Sequence, residues 1–226
     1  MFYKRSQYLV YQILQTGYLV NRGDFVRLVE DFYQRDTLTV AKELLGKLLV
    51  RKINGEELVC KIVETEAYLG ADDKACHAYQ NKRTSRTEAM FLPGGHAYVY
   101  LIYGMYNCLN VVSSKENRPE AVLIRAVEPL AGIDIMQQNR KVKNNKLINL
   151  TNGPGKLCQA LNIDRNLNGY NLVTGQELFI IEHFQPTAFE IIADRRINVD
   201  YAEEDALKPW RFYIKGNPFV SRRAGI

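Results

Sequence analysis

Apolar and polar residues change rhythm several times along the chain, and each change marks an element. Leu38, Ala41, Leu44 and Leu45 recur at the spacing of one helix face. Thr37 is placed to cap that helix and Gly46 to end it. A strand-like run over residues 47–53 follows, then Asn54-Gly55, the strongest short hairpin signal, then a second strand over residues 57–68. Residues 97–103 and 106–112 predict another hairpin, turning at Gly104-Met105. Residues 121–127 read as a strand stopped by Pro129. Residues 132–140 and 154–161 read as helices, the second with Asn152 as its cap and Pro154 in its first turn. Strands over 178–181, 189–193 and 210–215 complete the pattern. Strands mostly follow strands instead of alternating with helices. This predicts an antiparallel sheet with packed helices, an α+β fold, and argues against a doubly wound parallel sheet. No repeat or linker interrupts the pattern, so one domain is expected, with residues 1–31 as an extension and 32–226 as the domain.

Composition narrows the function. A chain of 226 residues with 46% hydrophobic and 24% charged residues can bury a sizeable core, which excludes general disorder. No apolar run approaches the roughly 20 residues that span a bilayer, so no membrane role is expected. Residues 1–31 hold no acid before Asp24 and carry Tyr3, Tyr8, Tyr11 and Tyr18. Their apolar pieces are broken by Gln12 and Gln15, a poor signal-peptide core, so a reducing compartment is expected. Cys60, Cys76, Cys108 and Cys158 show no C-x-x-C spacing, and His77, His96 and His183 form no H-E-x-x-H pattern. No metal and no cofactor is therefore expected.

The net charge of +5 is small, but it is unevenly spread. Residues 74–100 carry +3, residues 138–170 carry +5 and residues 206–226 carry +5, which leaves −8 for the remainder. One such cluster is ordinarily a solvated face. Three in one domain point to a polyanion partner if folding brings them together. Tyrosine is also over-represented, at 14 residues against a single tryptophan, and a tyrosine outside the core is a flat stacking surface with a polar tip.

Candidate chemistry centres on four segments. Glu64 and Glu66, at i and i+2 of a strand, share one face with Ile62 and Tyr68. A carboxylate among apolar neighbours suits a general base, although an edge strand with two solvated acids explains the pair more plainly. Tyr98, Tyr100, Tyr103 and Tyr106 crowd one hairpin. Core packing accounts for Tyr98 and Tyr100 as well as function does, but nothing beyond the tip can bury Tyr103, which suggests a wedge. Arg125 sits in an otherwise apolar strand and calls for a carboxylate or substrate partner. Asn152-Gly153-Pro154-Gly155-Lys156 fails the Walker pattern, yet Lys156 at a helix start suits one backbone phosphate, and Arg86 is a second phosphate-contact candidate. His77, taken alone, reads as a structural histidine.

These stretches, in this order, resemble the alkyladenine (3-methyladenine) DNA glycosylases of the animal and bacterial type. The resemblance runs from about Phe32 to Arg222. It is carried by residues 41–51, 62–70, His77, Met90-Phe91, 96–110, 121–129, 152–161, Arg196-Ile197-Asn198-Val199 and 210–221. It implies one domain with a curved, mostly antiparallel β-sheet, packed helices and a protruding β-hairpin. It also implies a monofunctional enzyme of base excision repair. Such an enzyme flips alkylated or deaminated purines (3-methyladenine, hypoxanthine, etheno-adenine) from duplex DNA and leaves an abasic site.

By resemblance, Glu66 is the general base for a water that attacks C1′, and Arg125 helps to hold that water. Tyr68, His77 and Tyr100 sandwich the base, Asn110 bears on base choice, and Tyr103 intercalates where the base has left. The backbone around Ile197 lies near the water. Double-stranded DNA containing damaged purines is the implied partner. A monomer is expected, cytoplasmic or nucleoid-associated in a bacterium and nuclear in a eukaryote. Three departures from the family pattern touch base preference: Cys76 where Ala or Ser is usual, Asn198-Val199 where Gly-Ile is usual, and the stretch 81–88. Asn198 suits a left-handed turn. A lyase needs an activated amine, and Lys61 alternates to the far face from Glu66. The rival reading is a non-catalytic nucleic-acid binder that uses the Tyr-tipped hairpin.

Overall fold

A computed structural model describes residues 26–140, 146–183 and 188–221. The tyrosine-rich start, the bases Lys141 and Lys143, and the bases Arg222 and Arg223 lie outside the described residues.

Helices α1 (Glu30–Tyr33) and α2 (Thr37–Glu43) precede β1 (Leu48–Ile53) and β2 (Glu56–Tyr68). Thr37 is not the cap of α2. Asp36 is, accepting from the Thr39 N–H at 2.8 Å, while the Thr37 hydroxyl turns inward to Ser113 Oγ at 2.8 Å. A carboxylate reaches the first-turn N–H groups as a hydroxyl would, so two adjacent capping residues made the local pattern ambiguous. The chain continues through β3 (Ala97–Ile102), β4 (Tyr106–Ser113) and β5 (Glu120–Ala131), then α3 (Ile133–Arg140) and α4 (Pro154–Ala160). It closes with β6 (Leu178–Ile181), β7 (Ile191–Asp194) and β8 (Arg211–Ile214). Asn152 is not the cap of α4 either. Gly153 takes that place without a side-chain bond, and the Asn152 side chain instead accepts at Oδ1 from Lys156 Nζ at 2.7 Å.

All eight strands form one antiparallel sheet in the order β3-β4-β5-β2-β1-β6, with β8 against β2 and β7 against β8. The fold is the expected curved sheet with packed helices. Strand β2 is its spine: one edge pairs with β5, and the other is shared by β1 and β8. Pro129 does not stop β5. It pairs opposite Cys60 at a register shift, where an irregular ladder tolerates a residue without an N–H. Further shifts at Ile62/Glu64 and Glu64/Thr65 bend the spine at the acidic pair.

The two faces of the sheet divide the labour. One packs Leu49, Ile62, Leu109, Val111, Val122 and Ile124 against Val40, Ala41 and Leu44 of α2 and Leu157 and Ala160 of α4 in the main core. On β3, β4 and β5 the alternate residues point the other way and build the site. On β2 the shifts around Glu64 break the alternation, so Ile62 joins the core with Val63 and Ala67 while Glu66 and Tyr68, expected on the face of Ile62, turn to the site side. Residues before Phe32 also join the core: Arg27 bridges to Ile181, and Leu28 is buried.

Candidate active site

Registration alone lines up the site. Tyr98 on β3 pairs with Asn110 on β4, Asn110 with Leu123 on β5, and Leu123 with Glu66 on β2. All but Glu66 of this row line a cavity of about 610 Å³, with Tyr68, Tyr100, Cys108 and Arg125 of the same strands. Side chains alternate across β3, β4 and β5, so one register sends this set to one face and the core set to the other, and the irregular ladder of β2 brings Glu66 and Tyr68 to the same side.

Glu64 and Glu66 are both wholly buried, which excludes two solvated acids on an edge strand. Arg125 lies between them, its Nε 3.2 Å from Glu64 and its Nη1 3.2 Å from Glu66. The expectation that Arg125 has an acid partner is met twice over. Glu64 also accepts from Arg211 Nε at 2.7 Å, from the Ser221 N–H at 2.6 Å and from Ser221 Oγ at 2.9 Å. Arg211 and Ser221 do not line the cavity. Glu66 differs in its surroundings. Its Oε1 takes Arg125 and the Ile197 N–H at 2.8 Å, while its Oε2 takes the Tyr68 hydroxyl at 2.8 Å. All three donors line the cavity. A carboxylate oxygen has two lone pairs, so Oε2 keeps one acceptor position, as Glu64 Oε2 does, but here among cavity-lining groups. Burial and the adjacent Glu66 charge push the Tyr68 hydroxyl well above its ordinary pKa, so it stays a donor.

The left-handed turn expected at Asn198 is present, with φ +60°. It presents the Ile197 N–H to Glu66. Arg196, just before it, packs its guanidinium 4.8 Å from the Tyr68 ring and 4.9 Å from the Trp210 ring. It grips Asp73 with both terminal nitrogens and donates to the Ala67 carbonyl at 3.0 Å. Asp73 in turn accepts from the Leu69 and Ala75 N–H groups. One buried ion pair therefore fixes the Tyr68 ring and the loop that carries His77. Sequence reading assigned Arg196 and Asp73 no role. The only signal was a bulky cation beside an expected turn.

His77 Nε2 lies 3.2 Å from Arg86 Nη2, and Nδ1 lies 2.9 Å from the Tyr98 hydroxyl. Arginine only donates, so Nε2 accepts and Nδ1 carries the proton. Burial, aided by the Arg86 charge, lowers the His77 pKa to about 4, so the ring is neutral at neutral pH. His77 sets its edge on Tyr100, with centroids 4.5 Å apart and planes at 83°. Arg86 lies over the Tyr100 ring at 5.2 Å and is exposed, at the rim of the aromatic cluster. Tyr98 is buried and supports the cluster, whereas Tyr100 is half-buried and faces the cavity. Asn110 is buried and held by the Tyr98 carbonyl at 3.1 Å. Cys76 is a buried thiol pushed up to about 12 by burial. Tyr103 stands 71% exposed at the hairpin tip beside Met105 at 64%. Lys156 lines the other end of the cavity with Arg140, which sequence reading passed over. Lys61 pairs with Glu128 at 2.6 Å and does not line the cavity.

Known proteins share this arrangement's sequence. A family model described as methylpurine-DNA glycosylase matches residues 31–218. A protein of Natranaerobius thermophilus, provisionally named 3-methyladenine DNA glycosylase, is 58% identical over 196 residues, covering 87% of this chain and 99% of that one. A Clostridium perfringens protein of the same name is 52% identical over 205 residues, covering 88% and 100%. One from Methanocella arvoryzae is 53% identical over 197 residues, covering 87% and 96%. With a buried acid and an aromatic cluster on one sheet face, and a family match over most of its length, the chain belongs to the methylpurine-DNA glycosylase family, whose members hydrolyse N-glycosidic bonds in DNA.

Proposed function

We propose that the protein is a monofunctional glycosylase that flips damaged purines from duplex DNA and hydrolyses their N-glycosidic bond with a water activated by Glu66. The observation that carries this reading is the contrast in setting between two buried acids on one strand. Of the residues that bond Glu64, Arg211 and Ser221 do not line the cavity, while all three that bond Glu66 (Arg125, Ile197 and Tyr68) do.

In the reaction, water adds to C1′ and gives its proton to Glu66. The C1′–N electron pair leaves with the base, and an abasic site remains. Arg125 holds Glu66 in place and balances its charge until the proton arrives. Tyr68, His77 and Tyr100 take the flipped base, with aromatic stacking contributing roughly 1–3 kcal/mol. His77 and Tyr100 touch, with centroids 4.5 Å apart, so they share one wall of the sandwich and Tyr68 supplies the other. Tyr103 enters the duplex where the base has left, as wedges do in minor-groove proteins.

The pocket also orders the substrates. A 3-methyladenine base is cationic and leaves as a neutral molecule. Hypoxanthine and etheno-adenine need a proton, and neither the raised tyrosines nor neutral His77 is an acid at neutral pH. The preferred substrates are therefore cationic alkylpurines.

Duplexes carrying one 3-methyladenine, hypoxanthine or etheno-adenine test the reading. Glu66→Gln should lower single-turnover excision by at least about 10²-fold, within the range of positioned general-base catalysis, and still bind the duplex. Wild-type excision by the variant would reject the mechanism. Tight binding with no excision by either protein would favour the non-catalytic binder. Covalent trapping by borohydride would reject the monofunctional reading.

A further inference from the structure

One cation beside the site takes part in no step of the hydrolysis. Arg86 is exposed and does not line the cavity, whereas His77, Tyr98 and Tyr100 do. It stands outside the cavity, against the aromatic cluster. Its Nη2 lies 3.2 Å from His77 Nε2, and its guanidinium lies 5.2 Å from the centre of the Tyr100 ring. Arg83, on the same exposed segment, instead grips Glu88 at 2.6 Å. The turn that carries Arg86 is fixed by its buried neighbour Thr87. The Thr87 hydroxyl donates to the Lys82 carbonyl at 2.9 Å and accepts from the Thr84 N–H at 2.9 Å, and the Thr87 N–H donates to the Thr84 carbonyl at 3.0 Å.

Both ring nitrogens of His77 are therefore occupied, Nδ1 by the Tyr98 hydroxyl at 2.9 Å and Nε2 by Arg86. Arginine can only donate, which selects the tautomer with its proton on Nδ1. The partner of one ring nitrogen sets the tautomer and orientation of a histidine. Held this way, His77 offers a base its ring carbons and no free nitrogen. The guanidinium over Tyr100 adds a cation–π contact. One side chain thus touches both members of one wall of the base sandwich.

We propose that Arg86 is the positioning residue of that wall. It locks His77 in the Nδ1–H tautomer and braces Tyr100 from outside the cavity, so that a flipped purine meets a fixed surface that reads shape and not hydrogen bonds. The effect on excision rests on the glycosylase reading of the cavity, while the tautomer does not. A wall that rocks lets the base, and C1′ with it, drift from Glu66, and a small misplacement of reacting atoms lowers the rate. Duplex affinity, which is dominated by phosphate contacts, is left as it was.

The first test reads the ring itself. The chain has 3 histidines, so nitrogen-15 NMR of histidine-labelled protein at neutral pH is simple, and His77→Gln identifies the His77 signals. Nδ1 should carry the proton in the wild type. Arg86→Met keeps the aliphatic stem and removes the donor, and should shift the ring to an exchanging mixture with the Nε2–H form. Arg86→Lys, which can still donate, should keep most of the Nδ1–H form. A wild-type Nε2–H ring, or an unchanged tautomer in Arg86→Met, would overturn the proposal. The second test is single-turnover excision of 3-methyladenine from duplex DNA at saturating enzyme. Arg86→Met should lower the rate about fivefold, the equivalent of about 1 kcal/mol, with duplex affinity and its salt slope unchanged. In a His77→Gln background the same substitution should cost less than about twofold. A salt slope lower by about 0.9, with the fivefold loss intact in that background, would make Arg86 a phosphate contact and reject the positioning role. A wild type that cuts no lesion refutes the glycosylase reading, while the NMR signals still decide whether Arg86 sets the tautomer.

Discussion

Two hairpins of this protein turn in the same way and serve different ends. The β1–β2 hairpin turns at Asn54-Gly55 with φ +51° and +81°. The β3–β4 hairpin turns at Tyr103-Gly104 with φ +53° and +68°, closed by the Met105 N–H on the Ile102 carbonyl at 3.2 Å. Asn and Gly are the residues that such a turn prefers. Tyrosine is not, and holding a bulky residue in the left-handed region costs roughly 1–2 kcal/mol. The first tip is polar, while the second exposes Leu101, Tyr103, Met105 and Tyr106. An Asn in place of Tyr103 would make a better turn and a more soluble surface. The protein carries both strain and an apolar tip there, which fits the proposed wedge.

The comparison breaks most sharply at Tyr103. Tyr103→Asn should lower kcat/KM on lesion duplex by roughly 5- to 150-fold, the equivalent of losing about 1–3 kcal/mol of stacking. The same variant should melt about 2–4 °C higher, because the strain is relieved. Normal excision by this variant would remove the wedge, and a lower melting temperature would remove the strain. The mirror substitution, Asn54→Tyr, should lower the melting temperature by about 2–4 °C and leave excision at 25 °C unchanged. If excision fell as well, the first hairpin would not be merely structural.

A smaller effect comes from His77, which packs on the working hairpin through Tyr98 and Tyr100. Its folded pKa, about 4, lies below the ordinary 6.5, so the folded state binds fewer protons than the unfolded one between these values. Stability from His77 is complete above pH 6.5 and is lost as the pH falls toward 4. A wild-type melting temperature that falls over this window more steeply than that of His77→Gln is the expected result. Parallel curves would show that His77 is not held neutral.

Much of this was legible from sequence because it is local or alternating. The Asn54-Gly55 turn needs only two residues. The alternation of residues 97–103 and 106–112 separates a core face from a site face before any fold is known. Arg125 declared its need for an acid by sitting in an apolar strand. Other features failed for lack of range. Pro129 breaks an ordinary strand, and only its place opposite Cys60 at a register shift explains why β5 runs through it. Capping of α2 by Asp36 rather than Thr37 depended on a buried partner, Ser113, 76 residues away.

The sequence by itself determined most strands and helices, the Asn54-Gly55 turn, the exposed tyrosine tip and the family pattern, since each is written in neighbouring residues or short periods; the second turn falls at Tyr103-Gly104, one residue before the expected Gly104-Met105. Tertiary structure alone decided what each charge does. Glu64 and Glu66 are chemically identical and two residues apart. Ser221, 157 residues from Glu64, helps to tie one into the scaffold, and Ile197, 131 residues from Glu66, holds the other among residues that line the cavity. Likewise Arg196 found Asp73, while among the described residues Arg140 found no acid. An ionic partner is set by distance in space, and a chain with 30 bases and 25 acids offers too many pairings for sequence order to choose among them.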